Sequence, residues 1–137
     1  FTNYNSSKGK SISNNNNVCL NFYWPSLEKQ IIIKGKANRI SDKESENYFN
    51  SRPYGSQIGA IVSNQSEIID SREFIERKFK EINEYHIKIK PKRPENWGGY
   101  LVKPNLFEFW QGRKNRLHDR LEFIFDGSVW NSNRLSP

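Results

Sequence analysis

The sequence predicts a small antiparallel β-barrel carrying helical insertions, a mainly β, α+β single domain. Three observations lead there. Short β-prone runs are separated by turn residues along most of the chain. Two or three stretches open with helix-capping residues. The 137 residues suffice for one domain with a real core, and no internal repeat or linker divides them.

In chain order, Phe1 to Tyr4 reads as the end of a strand, and Asn5 to Lys10 as a turn into a short helix or loop. Ser11 to Asn17 is Ser/Asn-rich, hence a loop or a poor helix, because these side chains compete for the helical backbone. Val18 to Trp24 is strongly β-prone and stops at Pro25. Gln30 to Ile40 alternates, with Ile31, Ile33, Gly35 and Ala37 on one face and Gln30, Ile32, Lys34 and Lys36 on the other. The two runs predict a hairpin.

Ser41-Asp42-Lys43-Glu44 has the spacing of a capping box and predicts a helix to about Phe49 or Asn50, ended by Pro53. Gly55-Ser56 begins a second short helix toward Ile61. Tyr48 and Arg52 lie four residues apart beside Ser56, where a guanidinium, backbone N–H groups and a helix dipole all favour an anion. Asp70 or Ser71 caps a longer helix to about Tyr85, with Ile75, Phe79, Ile82 and His86 as its apolar stripe. Lys88 to Pro94 has the composition of a crossing loop. Trp97 to Tyr100 re-enters the sheet, its glycines permitting close approach of a backbone or a ring.

The alternating runs Leu106–Trp110 and Leu121–Phe125 flank a polar turn holding Arg113, Lys114, Arg116, His118, Asp119 and Arg120. If the backbone is extended from Arg116 to Arg120, residues 116, 118 and 120 share a face. Two guanidiniums and an imidazole in one space would suit an anionic or electron-rich ligand, the alternative being a solvated basic hairpin tip. Asp126-Gly127 predicts a type I′ turn before a last strand, Val129 to Leu135.

Lys and Arg number 22 against 15 Asp and Glu, a formal net charge of +7, which favours anionic partners. Aromatic residues make up 14% of the chain, so large rings are expected to carry much of the packing. The single cysteine, Cys19, excludes an intrachain disulfide, and its apolar setting predicts a buried, inert thiol. No apolar run has the length of a membrane span and no signal-peptide pattern is present, so the expected location is the cytoplasm. The chain contains no methionine, which suggests a piece of a longer protein.

Phe109-Trp110-Gln111-Gly112-x-x-x-Arg116-Leu117-His118-Asp119-Arg120 resembles the C-terminal signature of the pyridoxamine 5′-phosphate oxidase family. The resemblance continues through Leu27-Glu28-Lys29-Gln30, Tyr48-Phe49-x-Ser51-Arg52-Pro53, Ser56-Gln57-Ile58-Gly59-Ala60 and Gln65-Ser66. It ends with Trp97-Gly98-Gly99-Tyr100 and Arg134-Leu135-Ser136-Pro137. The motifs run nearly end to end, in order and at compatible spacing.

The resemblance implies an FMN-binding split barrel over residues 1–137, truncated at its N-terminus, acting as a homodimer with FMN in the cleft between subunits. It implies oxidation of pyridoxamine or pyridoxine 5′-phosphate to pyridoxal 5′-phosphate, with O2 reduced to H2O2. FMN contacts carry over to Thr2, Lys8, Gln30, Gln65, Ser66, Trp110 and Arg120. Substrate contacts carry over to Tyr48, Arg52 and Ser56 at the phosphate and to Arg116 and His118 at the pyridine end. Those last two are also the expected catalytic residues, and no metal is implied.

Two departures bear on activity. Ser7 stands where the family usually has an arginine, and the family's upstream Arg-x-Val-Leu-Leu-Lys strands are not in the sequence. The 137 residues alone are therefore expected to bind FMN poorly. A non-catalytic split barrel binding FMN or pyridoxal phosphate is the alternative reading, and a basic nucleic-acid-binding barrel a third.

Overall fold

The computed structural model describes all residues, 1–137. The chain forms two compact units, one of Phe1–Asn15 with Arg39–Leu101, the other of Asn16–Asn38 with Val102–Pro137.

In the first unit, β1 (Thr2–Asn3) pairs antiparallel with β4 (Trp97–Gly98), setting Asn3 opposite Trp97. Helix α1 spans Ser7–Asn14, where the sequence left loop and helix open. Ser6 decides this locally, accepting the Gly9 N–H on its Oγ at 3.2 Å. Gly9 then presses so closely on the Tyr4 backbone that a Cβ would collide with it. Helix α2 (Asp42–Ser51) has the predicted capping box, in which Ser41 and Glu44 satisfy each other's backbone N–H. Pro53 holds Arg52 extended, at φ −72° and ψ 150°, and α3 (Tyr54–Val62) begins directly after it.

Helix α4 (Arg72–His86), capped by Ser71, brings the α-helices to four where two or three were expected. Its predicted stripe shifts slightly. Phe74, Ile75, Lys78, Ile82 and Asn83 are half-buried, while Phe79 is exposed. His86 closes the helix end through Nδ1, 2.9 Å from the Ile89 carbonyl oxygen. The core of this unit is Tyr4, Phe49, Ile58, Val62 and Trp97. No helix is long and apolar enough to cross a membrane.

The second unit is built on a five-stranded sheet in the order β2 (Asn17–Trp24), β3 (Lys29–Arg39), β5 (Tyr100–Gln111), β6 (Asp119–Phe125), β7 (Trp130–Arg134). The predicted β2–β3 hairpin sets Phe22 opposite Ile31 and Leu20 opposite Ile33. Gly35 and Ala37 are buried and Lys34 and Lys36 exposed, as the alternation requires. Trp97 and Gly98 do not join this sheet; its strand starts at Tyr100, one residue past Gly99.

Three further expectations change. Cys19 is exposed, because β2 is an edge strand on which only Val18 is even half-buried. Of the large rings, Tyr4, Phe49 and Trp97 are buried, but Phe22, Trp24, Phe109 and Trp130 are exposed, so rings carry the core only in part. The turn after β6 is not type I′, since of the expected central pair Gly127 has positive φ (110°) and Asp126 does not. Asp126 organises that turn instead, its Oδ1 accepting from the N–H groups of Ser128 and Val129.

Candidate ligand-binding site

The helix junction of the first unit forms a cavity of about 230 Å³ lined by Arg52, Ser56, Gln65, Asn3 and Trp97, among others. Arg52 ends α2 with its carbonyl held by the Gln57 Nε2 at 2.9 Å. Its guanidinium carbon lies 4.8 Å from the centre of the Trp97 ring. No carboxylate neutralises it, and Nη1 is buried without a hydrogen-bond partner. Arg52 as a whole is half-buried, and a guanidinium left without a carboxylate can receive an anion.

Ser56 lines this cavity with its backbone N–H already committed. Its N–H is used by the Pro53 carbonyl at 2.8 Å, which leaves Tyr54 and Gly55 as the free donors at the start of α3. Tyr48 sits one turn before Arg52, its ring stacked on Phe1 at 3.7 Å and parallel to Trp97. The trio expected at the phosphate is therefore local, with Arg52 and Ser56 in the cavity and Tyr48 in the adjoining aromatic stack.

Gln65 joins the same cavity. Its Oε1 accepts from the Thr2 hydroxyl and the Asn3 N–H, both at 2.9 Å, which leaves its amide nitrogen as a donor. Thr2 is buried, Ser66 is exposed at φ 74°, and Lys8 is exposed in the first turn of α1. The structure thus places a residue expected at the cofactor beside two expected at the substrate.

In the second unit, Gln30 and Trp110 line a cavity of about 410 Å³ with Trp24, Phe109, Lys29 and Arg113. Gln30 donates from Nε2 to the Asn21 Oδ1 at 2.8 Å, and its carbonyl oxygen remains available. Aromatic walls with a basic rim suit a flat ring that has polar edges. Arg120 pairs in register with Trp110 and donates to Glu108 from Nε at 2.7 Å and to the Ser136 carbonyl from Nη1 at 3.1 Å. The Glu108 carboxylate holds its guanidinium above the ordinary range, against the opposing effect of partial burial.

The expected common face of residues 116, 118 and 120 does not form. Strand β6 starts only at Asp119, and Asn115 and Arg116 are left-handed, at φ 59° and 61°. Arg116 is exposed in that turn. His118 lies against Trp110, ring centres 4.8 Å apart, and its Nδ1 accepts the Arg113 N–H at 3.1 Å. The neutral ring therefore carries its proton on Nε2 and presents a donor.

The turn is fixed by Asp119, bonded to Arg113 at 2.8 Å and to Arg134 at 2.7 Å. Those bonds, Arg113 first, hold its carboxyl below the usual range. Sequence reasoning missed Phe1, Asn3, Glu108 and Asp119 as supports, and took Trp97 only for a strand residue. Glu108 was the legible one, because it falls on the same strand face as Trp110.

A family model described as pyridoxamine 5′-phosphate oxidase matches residues 1–86. A second, described as the pyridoxine 5′-phosphate oxidase C-terminal dimerisation region, matches residues 97–137. Proteins named pyridoxine/pyridoxamine 5′-phosphate oxidase are 53% identical in Flavobacterium psychrophilum and 56% in Flavobacterium johnsoniae, matching 100% and 99% of this chain. The chain spans 64% of the length of each. A protein of Arabidopsis thaliana named pyridoxine/pyridoxamine 5′-phosphate oxidase 1, chloroplastic, is 48% identical, with 27% of its length covered.

Among solved structures, PhzG from Burkholderia lata, in complex with tetrahydrophenazine-1-carboxylic acid, superposes with a TM-score of 0.88 at 27% identity, over 99% of this chain and 66% of that one. A pyridoxamine 5′-phosphate oxidase-related, FMN-binding protein from Nostoc punctiforme gives 0.69 at 15% identity, over 99% and 71%. These likenesses show the split-barrel fold expected from the sequence.

Proposed function

The chain belongs to the pyridoxamine 5′-phosphate oxidase family, and on that footing we propose that it serves FMN-dependent oxidation of pyridoxamine or pyridoxine 5′-phosphate to pyridoxal 5′-phosphate, with O2 reduced to H2O2. The observation that carries this reading is Arg52, whose guanidinium has no carboxylate partner and an unpartnered Nη1, and which lines a cavity shared with Ser56 and Gln65. A phosphate-bearing ligand supplies the charge that this cavity lacks.

The residues present fit a flavin. The Trp110 cavity has apolar walls and a rim of Lys29, Arg113 and Arg134 with the Asp119 carboxylate among them, and the amides of Gln30 and Gln65 each keep one polar group uncommitted. In this reading Thr2, Lys8, Gln30, Gln65, Ser66, Trp110 and Arg120 hold FMN. FMN supplies the two-electron acceptor that O2 regenerates. Lys8 and the free donors of α1 take the phosphate end, with one cation fewer than usual because residue 7 is serine.

Arg52, Ser56 and Tyr48 bind the substrate phosphate. Arg116 polarises the reacting end of the vitamer, and the His118 Nε2–H orients the ring. The matched dimerisation region supports a homodimer, and in this reading FMN lies between its subunits. The oxidase names of the relatives favour catalysis over a carrier role.

The test uses the full-length protein. It should purify yellow, release FMN on denaturation and produce peroxide with either B6 phosphate. Arg116→Ala should reduce turnover at least about hundredfold while FMN stays bound. Undiminished turnover removes Arg116 from the reaction, and binding without peroxide selects the carrier.

A further inference from the structure

We propose that Trp97 is a positioning residue for phosphate recognition, its indole face holding the Arg52 guanidinium ready for the anion; the assignment rests on the B6-phosphate reading above. The contact is a cation–π pair at 4.8 Å, and Trp97 is only 7% exposed. An indole attracts a guanidinium without neutralising it and leaves the N–H edge open to a ligand, which a carboxylate partner would not do. Arg52 has no such carboxylate in this structure.

Trp97 can do this because it is itself held in register with the helix that carries Arg52. Its backbone pairs with Asn3, and the edge of Phe49, one turn back on α2, meets its ring at 5.5 Å. Its carbonyl accepts from Arg93 Nη1 at 2.6 Å. Arg93 is nearly buried and reaches α2 as well, donating to Asp42 at 2.6 Å and lying 3.4 Å from Glu46. Helix α2 and the indole are thus clamped by one side chain. Arginine is flexible, so fixing it before the ligand arrives removes an ordering cost from binding. The benefit should appear in affinity for the phosphate and not in the rate of the chemical step.

The experiment uses full-length, FMN-loaded protein, with kcat and KM for pyridoxine 5′-phosphate and equilibrium dialysis of pyridoxal 5′-phosphate against pyridoxal, which lacks the phosphate. A cation–π contact of this kind corresponds to roughly two- to thirtyfold in affinity. Trp97→Leu should raise KM and the pyridoxal phosphate Kd by about tenfold, leaving kcat within about twofold and pyridoxal binding unchanged. Trp97→Phe, which keeps a ring, should lose only about threefold. In an Arg52→Ala background Trp97→Phe should change KM by less than about twofold, because the partner is gone.

Should Trp97→Leu fail to fold, the two Trp97→Phe measurements decide the matter alone. Equal losses in both backgrounds, or an equal loss for pyridoxal, would overturn the assignment. A wild-type protein that oxidises no B6 phosphate would overturn the functional reading instead. A preference for pyridoxal phosphate over pyridoxal that falls about threefold with Trp97→Phe would even then support the indole's role.

Discussion

Replacing Arg52 by alanine should separate binding from stability. In the folded protein the guanidinium gains a cation–π contact worth about 0.5–2 kcal/mol. Against this stands the buried, unpartnered Nη1, whose unmet hydrogen bond costs about 1–3 kcal/mol. The two nearly cancel, so Arg52→Ala should shift the thermal midpoint by no more than about 5 °C in either direction. Toward a phosphate the same side chain can make two charge-assisted hydrogen bonds, each worth roughly 1.5–3 kcal/mol. Losing them should raise KM for pyridoxine 5′-phosphate by at least about hundredfold. Calorimetry and steady-state kinetics on one preparation test both halves. A midpoint lowered by more than about 10 °C, with KM unchanged, would show that Arg52 is a structural residue and that its unpaired charge has no ligand.

Other positions test other parts of the structure. Gly98→Ala would drive a Cβ into the Tyr4 hydroxyl and within 2.8 Å of Ser45 Oγ; because Tyr4 is buried and cannot swing away, a loss of about 1–3 kcal/mol is expected in urea unfolding. Ser41→Ala removes the Oγ that accepts the Glu44 N–H at 3.2 Å and should cost about 1 kcal/mol, read the same way. Asp119 has a depressed carboxyl in the folded state, so its stabilisation is complete above the unfolded carboxylate value of about 3.9 and is lost as pH falls through the folded value. Between pH 6 and pH 3 the thermal midpoint should therefore fall further in the wild type than in Asp119→Asn; equal slopes would mean that the Arg113–Asp119–Arg134 bridge does not stabilise the turn.

Local chemistry was the readable part of this chain. Ser41 and Glu44 announce a helix start because the capping box is closed by residues three apart. Pro53 fixes the end of α2 sterically, and the alternation along β3 matches its buried Gly35 and Ala37. Tyr48, Arg52 and Ser56 were legible together because one helix junction carries them all. The turn at 111–118 misled, since an extended backbone was the simplest assumption and left-handed Asn115 and Arg116 leave no periodic trace. Cys19 misled for the opposite reason. Its neighbours are apolar, but burial depends on what covers a strand, and nothing local encodes that.

The sequence by itself determined the family, the order of elements and the residue types that a phosphate and a flat ring require. It could do so because motifs, caps and strand periods are written over a few consecutive positions. Only the tertiary structure decided that Arg52 has an indole and no carboxylate beside it, that Gln65 shares its cavity, and that Arg120 is already tied to Glu108. These are contacts between residues 12 to 45 positions apart, fixed by packing and hydrogen bonding across elements and therefore invisible to any local pattern.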